Sequence, residues 1–173
     1  MILDEERNAA DFLNKSVLFL QKIDKDRVYL KWFTIAFHGA VHSFILLKLQ
    51  SVSSELIFAD NKTHSHSLDR NLKSFKKAYL SLKNPNLMKI NIYKPEGNQD
   101  KCIDELNDRL RNQMIHFRPT LWASEPWYFA EACYPLLSLL KFCIEDNHLL
   151  NNTAVLLFKD IEIIKQILEK HRD

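Results

Sequence analysis

The chain has 173 residues, 46% of them hydrophobic and 27% charged, and a formal net charge of +2. That length suits one domain over 1–173 with a self-sufficient core, and that composition excludes a disordered chain. The net charge is too small to mark a nucleic-acid binder and passes that question to charge distribution, and the two glycines, Gly39 and Gly97, are too few for P-loop or Rossmann phosphate loops or for a fold rich in tight hairpins.

Residues 4–22 read as a helix whose broad apolar face carries Ala10, Phe12, Leu13, Val17, Leu18 and Leu20. A second helix is expected from Asp24 or Asp26, either of which can cap it, to about Leu49. It is apolar nearly all round, and 32–47 carries no formally charged residue. That stretch is short for a membrane span and holds His38 and His42, so it reads as the central core helix. Gly39 within it costs about 1 kcal/mol relative to alanine, which predicts close approach of a neighbouring helix backbone.

Residues 51–68 are polar and turn-rich and read as a loop that includes His64 and His66. A basic helix over about 69–83 follows, holding Arg70, Lys73, Lys76, Lys77 and Lys83, and Pro85 ends it. Residues 85–97 form an irregular connection with a short extended piece at 88–93. A fourth helix runs over 99–116, with Ile103, Leu106, Leu110 and Met114 along one face. Pro119 disfavours helical geometry at Arg118 and stops it.

Pro126 suits the first turn of the next helix, capped by Ser124 or Glu125 and reaching about Ile144. Pro135 predicts a kink or break inside it. The last helix, 153–170, repeats Val155, Leu156, Phe158, Ile161, Ile164 and Leu168. The fold class is therefore all-α, an antiparallel bundle of five or six helices. Cys102, Cys133 and Cys143 are odd in number and widely spaced, which predicts buried reduced thiols. The acidic start, Asp4-Glu5-Glu6, lacks the basic region of a signal peptide, so a cytoplasmic protein with no membrane partner is expected.

Three places carry candidate chemistry. His38 and His42 share a helix face at metal-pair spacing, but Gly39 stands where the zincin pattern needs glutamate and no third ligand follows. They read as core or groove-lining histidines, and neither a metal nor a cofactor is expected. The basic helix reads as a solvated face or as an RNA-backbone contact through Lys73, Lys76 and Lys77.

The third place is Arg111-Asn112-Gln113-Met114-Ile115-His116. Arginine can fork onto a phosphate, and histidine exchanges a proton near neutrality, which are the two services that phosphodiester cleavage needs. In an unbroken helix residues five apart point about 140° away from each other. Unwinding of the last turn before Pro119 would bring the pair together. The spacing alone is unspecific, because seven Arg and seven His supply roughly one such match by chance.

Arg111-Asn112-x-x-x-His116 at a proline-stopped helix end in a small all-α chain resembles the HEPN superfamily (higher eukaryotes and prokaryotes nucleotide-binding). The continuation through Phe117, Arg118, Pro119, Thr120, Leu121, Trp122 and Glu125 is similar to one group of standalone bacterial HEPN domains. The resemblance implies metal-independent endoribonuclease cleavage with Arg111, Asn112 and His116 catalytic, and with Arg118 and His42 on the substrate side. It implies RNA as partner and a homodimer whose two motifs line one groove. It also implies a toxin, an antitoxin or other protein partner, or a phage-defence role. Some HEPN domains are non-catalytic modules that bind RNA, nucleotide or protein, which is the alternative. A third reading makes the chain a scaffold in which Arg111 pairs with Asp104, Glu105 or Asp108.

Overall fold

The computed structural model describes residues 4–59, 70–115, 125–145, 147–150 and 153–172. The architecture is all-α. Among the described residues the only strand-like pairing is one antiparallel bridge between Phe58 and Leu72. Helix α1 (Glu5–Leu20) leads into α2 (Tyr29–Val52) and a 3-10 turn (Ser54–Ile57). Two short helices follow, α3 (Phe75–Leu82) and α4 (Pro85–Met88). The next rod starts as α5 (Gln99–Asp104), widens into a π-helical segment (Glu105–Arg111) and closes as α6 (Asn112–Ile115). Then come α7 (Pro126–Cys133), α8 (Leu136–Ile144), a 3-10 turn (His148–Leu150) and α9 (Ala154–Lys170).

The count exceeds the expected five or six because some rods are broken. Pro135 lacks the N–H that would continue the ladder, so the chain turns at 134–135 and restarts as α8. Pro126 stands at the first position of α7 behind Glu125, whose carboxylate pairs with Arg27 at 2.7 Å instead of capping the helix. Pro85 ends α3 and opens the single turn of α4, with Asn84 accepting the N–H of Asn86 at 2.9 Å.

Helix α2 is the axis of the core. Phe33, Phe37 and Phe44 are fully buried on it, and α1, α3 and α8 pack around it. By length and composition it is apolar enough to cross a membrane, yet 56% of its most apolar window is buried inside the fold. The composition reflects neighbours on several sides. Its start lies later than expected: Asp26 accepts the N–H of Val28 at 2.9 Å, so it closes a turn before the helix begins. Lys48, 4% exposed, extends to the end of α8 and donates to the Glu145 carbonyl at 2.6 Å, while its ammonium lies over the Phe142 ring. A helix end leaves carbonyls without intrahelical donors, and this lysine supplies one.

Gly39 is explained by a side chain, not by the expected helix backbone. A Cβ there would stand 2.7 Å from two atoms of the Phe12 ring on α1. On α1 itself, Asp4 accepts the N–H of Arg7 at 2.8 Å and so caps the first turn. Ala9, Leu13, Val17 and Leu20 form its buried stripe, whereas Leu18 is exposed. On α9 the stripe is Leu157, Ile161, Ile164 and Leu168, which leaves Val155 and Leu156 pointing to solvent.

Two further expectations fail. The basic helix begins only at Phe75, because residues 71–73 are drawn into extended bonds with the 3-10 turn: Lys73 N–H donates to the Ile57 carbonyl at 2.8 Å. Residues 88–93 make a tight reversal, with positive φ at Lys89 and Asn91, in place of an extended piece. All three cysteines are buried thiols, and burial pushes each up from its ordinary pKa. His64 and His66 lie outside the described residues.

Candidate functional site

The site begins with the wide turn. Leu106 and Leu110 are buried, so the line through them marks the face of this rod that meets the core. In a regular α-helix Arg111 would point about 140° from Leu106. In π geometry the bond runs i to i+5 and the turn widens, which brings residues five apart much nearer to one face. The segment Glu105–Arg111 therefore swings Arg111 round toward α2. The widening lies before Arg111, whereas the unwinding expected ahead of Pro119 falls at 116–119, outside the described residues.

Arg111 thereby lines a cavity of about 360 Å³ between α1, α2 and this rod. His38, His42, Asn8 and Phe12 line it too, and Glu5 is the one carboxylate among its described lining residues. Arg111 donates to the Asn112 side-chain oxygen at 2.8 Å. Among the described residues it makes no ion pair. The acids foreseen as its partners are engaged elsewhere: Asp104 and Asp108 hold Lys76 at 2.7 and 2.5 Å, and Glu105 faces Arg109 at 3.3 Å.

Both pocket histidines are fixed through Nε2. That of His42 lies 3.0 Å from the Lys73 carbonyl, which can only accept, so His42 is the Nε2–H tautomer. That of His38 lies 3.1 Å from the Asn107 side-chain oxygen. The amide orientation is set from behind, because the Asn107 nitrogen donates to Asp108 at 2.6 Å and Asp108 is held by Lys76. His38 therefore also donates through Nε2. The two rings sit 6.3 Å apart, with Phe75 stacked on His38 at 4.4 Å.

Burial pushes the His38 imidazole down to about 4, with the Arg111 charge acting in the same direction and the Asn107 bond opposing. Burial lowers His42 likewise, against its bond to the Lys73 carbonyl and with help from Arg111. Near neutrality both rings are uncharged, and each has one nitrogen committed as donor and one lone pair left. Among the described residues no three His, Cys, Asp or Glu side chains converge as a metal set.

Of the residues singled out in the sequence, Arg111, Asn112, His38 and His42 come together. Lys73 does not join them as a cation: its ammonium donates to the Leu56 carbonyl at 2.6 Å, and burial lowers its pKa. Lys76 is tied into the acidic pair described above, and Lys77 is exposed on α3. His116 and Arg118 lie outside the described residues. Sequence reasoning placed His38 and His42 along a groove but missed Asn107 and the tautomer that it sets on His38. The available signal was that Asn107 lies four residues before Arg111, beside a carboxylate able to orient it.

A larger cavity of about 420 Å³ lies by the Pro135 break. Its cations are neutralised, since Lys141 pairs with Glu162, Arg172 with Glu131 and Lys165 with Glu169. The smaller cavity, with an arginine lacking a carboxylate partner among the described residues, is the better candidate for chemistry. Compared with protein-family models, curated proteins and solved structures, the chain matches none.

Proposed function

We propose that the chain is a HEPN-type endoribonuclease that cuts RNA to a 2′,3′-cyclic phosphate and a 5′-hydroxyl, working as a homodimer in a toxin or phage-defence setting. In this mechanism His116 takes the proton of the 2′-hydroxyl, whose oxygen attacks phosphorus. The 5′-oxygen leaves and collects a proton from the His116 of a second copy. Arg111 holds the charge that builds on the phosphoryl oxygens, and Asn112 orients the guanidinium. No step in this scheme requires a metal ion.

The observation that carries the reading is the state of Arg111. It is a half-buried guanidinium, turned by a π-helical segment into a cavity and braced by Asn112, while the three nearby acids are occupied by other cations. An unneutralised cation on a concave surface is a seat for an anion. His38 and His42 are unsuited to be the base, because a ring held below the working pH is weakly basic. The proton transfers are assigned to His116 from the resemblance of its motif.

The test is cleavage of a fluorophore-labelled RNA pool in the presence of EDTA by the wild type, Arg111→Ala and His116→Ala. The wild type is expected to cut and both variants to lose at least about 100-fold in rate. Equal rates in all three would refute the mechanism. Binding of RNA without cleavage by the wild type would favour the non-catalytic module.

A further inference from the structure

The pocket pairs one cation with two hydrogen-bond acceptors, and that combination specifies a ligand more narrowly than an anion site does. Each imidazole has spent its only N–H on a protein oxygen, His38 on Asn107 and His42 on the Lys73 carbonyl. What remains on each ring is a lone pair, which recognises donors and is repelled by phosphate oxygens. Both rings lie close enough to Arg111 to feel its charge. The ligand must therefore carry a hydroxyl or N–H donor beside its anionic group. A nucleoside 3′-phosphate with a 2′-hydroxyl has this arrangement, and its deoxy counterpart lacks the donor.

We propose that the pocket between α1, α2 and the π-helical segment is a ribose-reading subsite, in which Arg111 takes the phosphate and a free lone pair of the His38–His42 pair accepts the 2′-hydroxyl hydrogen in the bound ground state, the hydroxyl turning to His116 only when its proton is removed. Asn107 is a positioning residue: it does not touch the ligand but holds the tautomer of His38, and the chain from Lys76 through Asp108 orients its amide. The cavity, about 360 Å³, lies within the range of small-molecule sites. Glu5 adds a third acceptor, at the cost of repulsion toward the phosphate. This inference deepens the ribonuclease reading and rests on it for the choice of ligand.

The experiment is calorimetric binding of uridine 3′-monophosphate, 2′-deoxyuridine 3′-monophosphate and inorganic phosphate to the full chain. The ribonucleotide is expected to bind about tenfold or more tighter than the deoxynucleotide, since a site built to bond a hydroxyl leaves acceptors unpaired without it. His38→Phe and His42→Phe should shrink that gap to about threefold or less with little change for the deoxynucleotide and inorganic phosphate. Arg111→Ala should weaken all three ligands. Asn107→Asp is near-isosteric and puts a carboxylate against the His38 N–H. It should raise the His38 pKa, convert the ring to a double donor and erase the ribose preference. Long-range proton–nitrogen NMR reads the tautomer of each ring directly. Equal affinity for the ribo and deoxy ligands would overturn the proposal, and so would a preference that survives both histidine substitutions, or rings found as Nδ1–H tautomers. Ribose preference without RNA cleavage would remove the nuclease reading alone; cleavage that depends on Arg111 and His116 without ribose preference would remove this inference alone.

Discussion

Gly39→Ala separates helix propensity from packing at one atom. Alanine at an interior helix position is favoured over glycine by about 1 kcal/mol, so on propensity alone the variant would be more stable. The added methyl, however, would stand 2.7 Å from two atoms of the Phe12 ring and 3.0 Å from its Cγ. Turning the ring about its own axis leaves Cγ in place, so relief requires Phe12 to change rotamer or α1 to move. Overpacking of this kind costs about 1–3 kcal/mol. The expected net effect is a loss of about 1 kcal/mol, or roughly 2–4 °C in Tm for a chain of this size. In a Phe12→Ala background the obstruction is gone, and the same substitution should stabilise by about 1 kcal/mol. The two backgrounds should thus differ by about 2 kcal/mol, well above the scatter of additive pairs. Urea unfolding followed by circular dichroism on the four proteins measures this. A stabilising Gly39→Ala in the wild type, or the same change in both backgrounds, would refute the packing argument.

Lys48→Met keeps the apolar stem and removes the donor to the Glu145 carbonyl, so unfolding free energy should drop by about 1–3 kcal/mol in urea titrations. Stability should also fall with acidification. His38 is held down to about 4, whereas an unfolded imidazole titrates near 6.5, so the unfolded chain takes up the proton first. Stability is then full above about 6.5, declines as pH falls to about 4 and levels off below; the ceiling is about 3 kcal/mol. His38→Phe should flatten that stretch of a stability–pH curve, and an unchanged slope would count against the buried neutral ring. Glu5→Gln removes the one carboxylate among the described pocket-lining residues, so inorganic phosphate should bind more tightly by calorimetry, by a few-fold at low salt.

The helices were legible because their signals are local and redundant. Pro126 and Pro135 mark a start and a break whatever surrounds them, and the near absence of charge along α2 announces a helix covered on several sides. What escaped depends on neighbours distant in sequence. Leu18, Val155 and Leu156 fit an apolar pattern, but the stripe that is buried is decided by which side meets α2 and α8. Lys73 and Lys76 look like parts of a basic face until a carbonyl and two carboxylates claim them. At the candidate site, Arg111 and Asn112 stood out by residue type. The bond that fixes the His38 ring comes from the turn that brings Asn107 across to it, and no periodicity predicts a π-helical turn.

That turn has a bearing on chain length. A helix that runs i to i+5 for part of its course uses more residues to cover the same arc than a regular one. The stretch Glu105–Arg111 is therefore where this rod holds surplus chain. A single-residue deletion there could be absorbed by tightening to α geometry, with Leu106 and Met114 re-seated by small rotations. Such a shortened chain would remain a helical bundle and lose the alignment of Asn107 with His38 and of Arg111 with the cavity. Folding and pocket assembly would then part company at one codon. Chains of this architecture that differ by a single residue at this turn should differ in what they bind before they differ in how they fold.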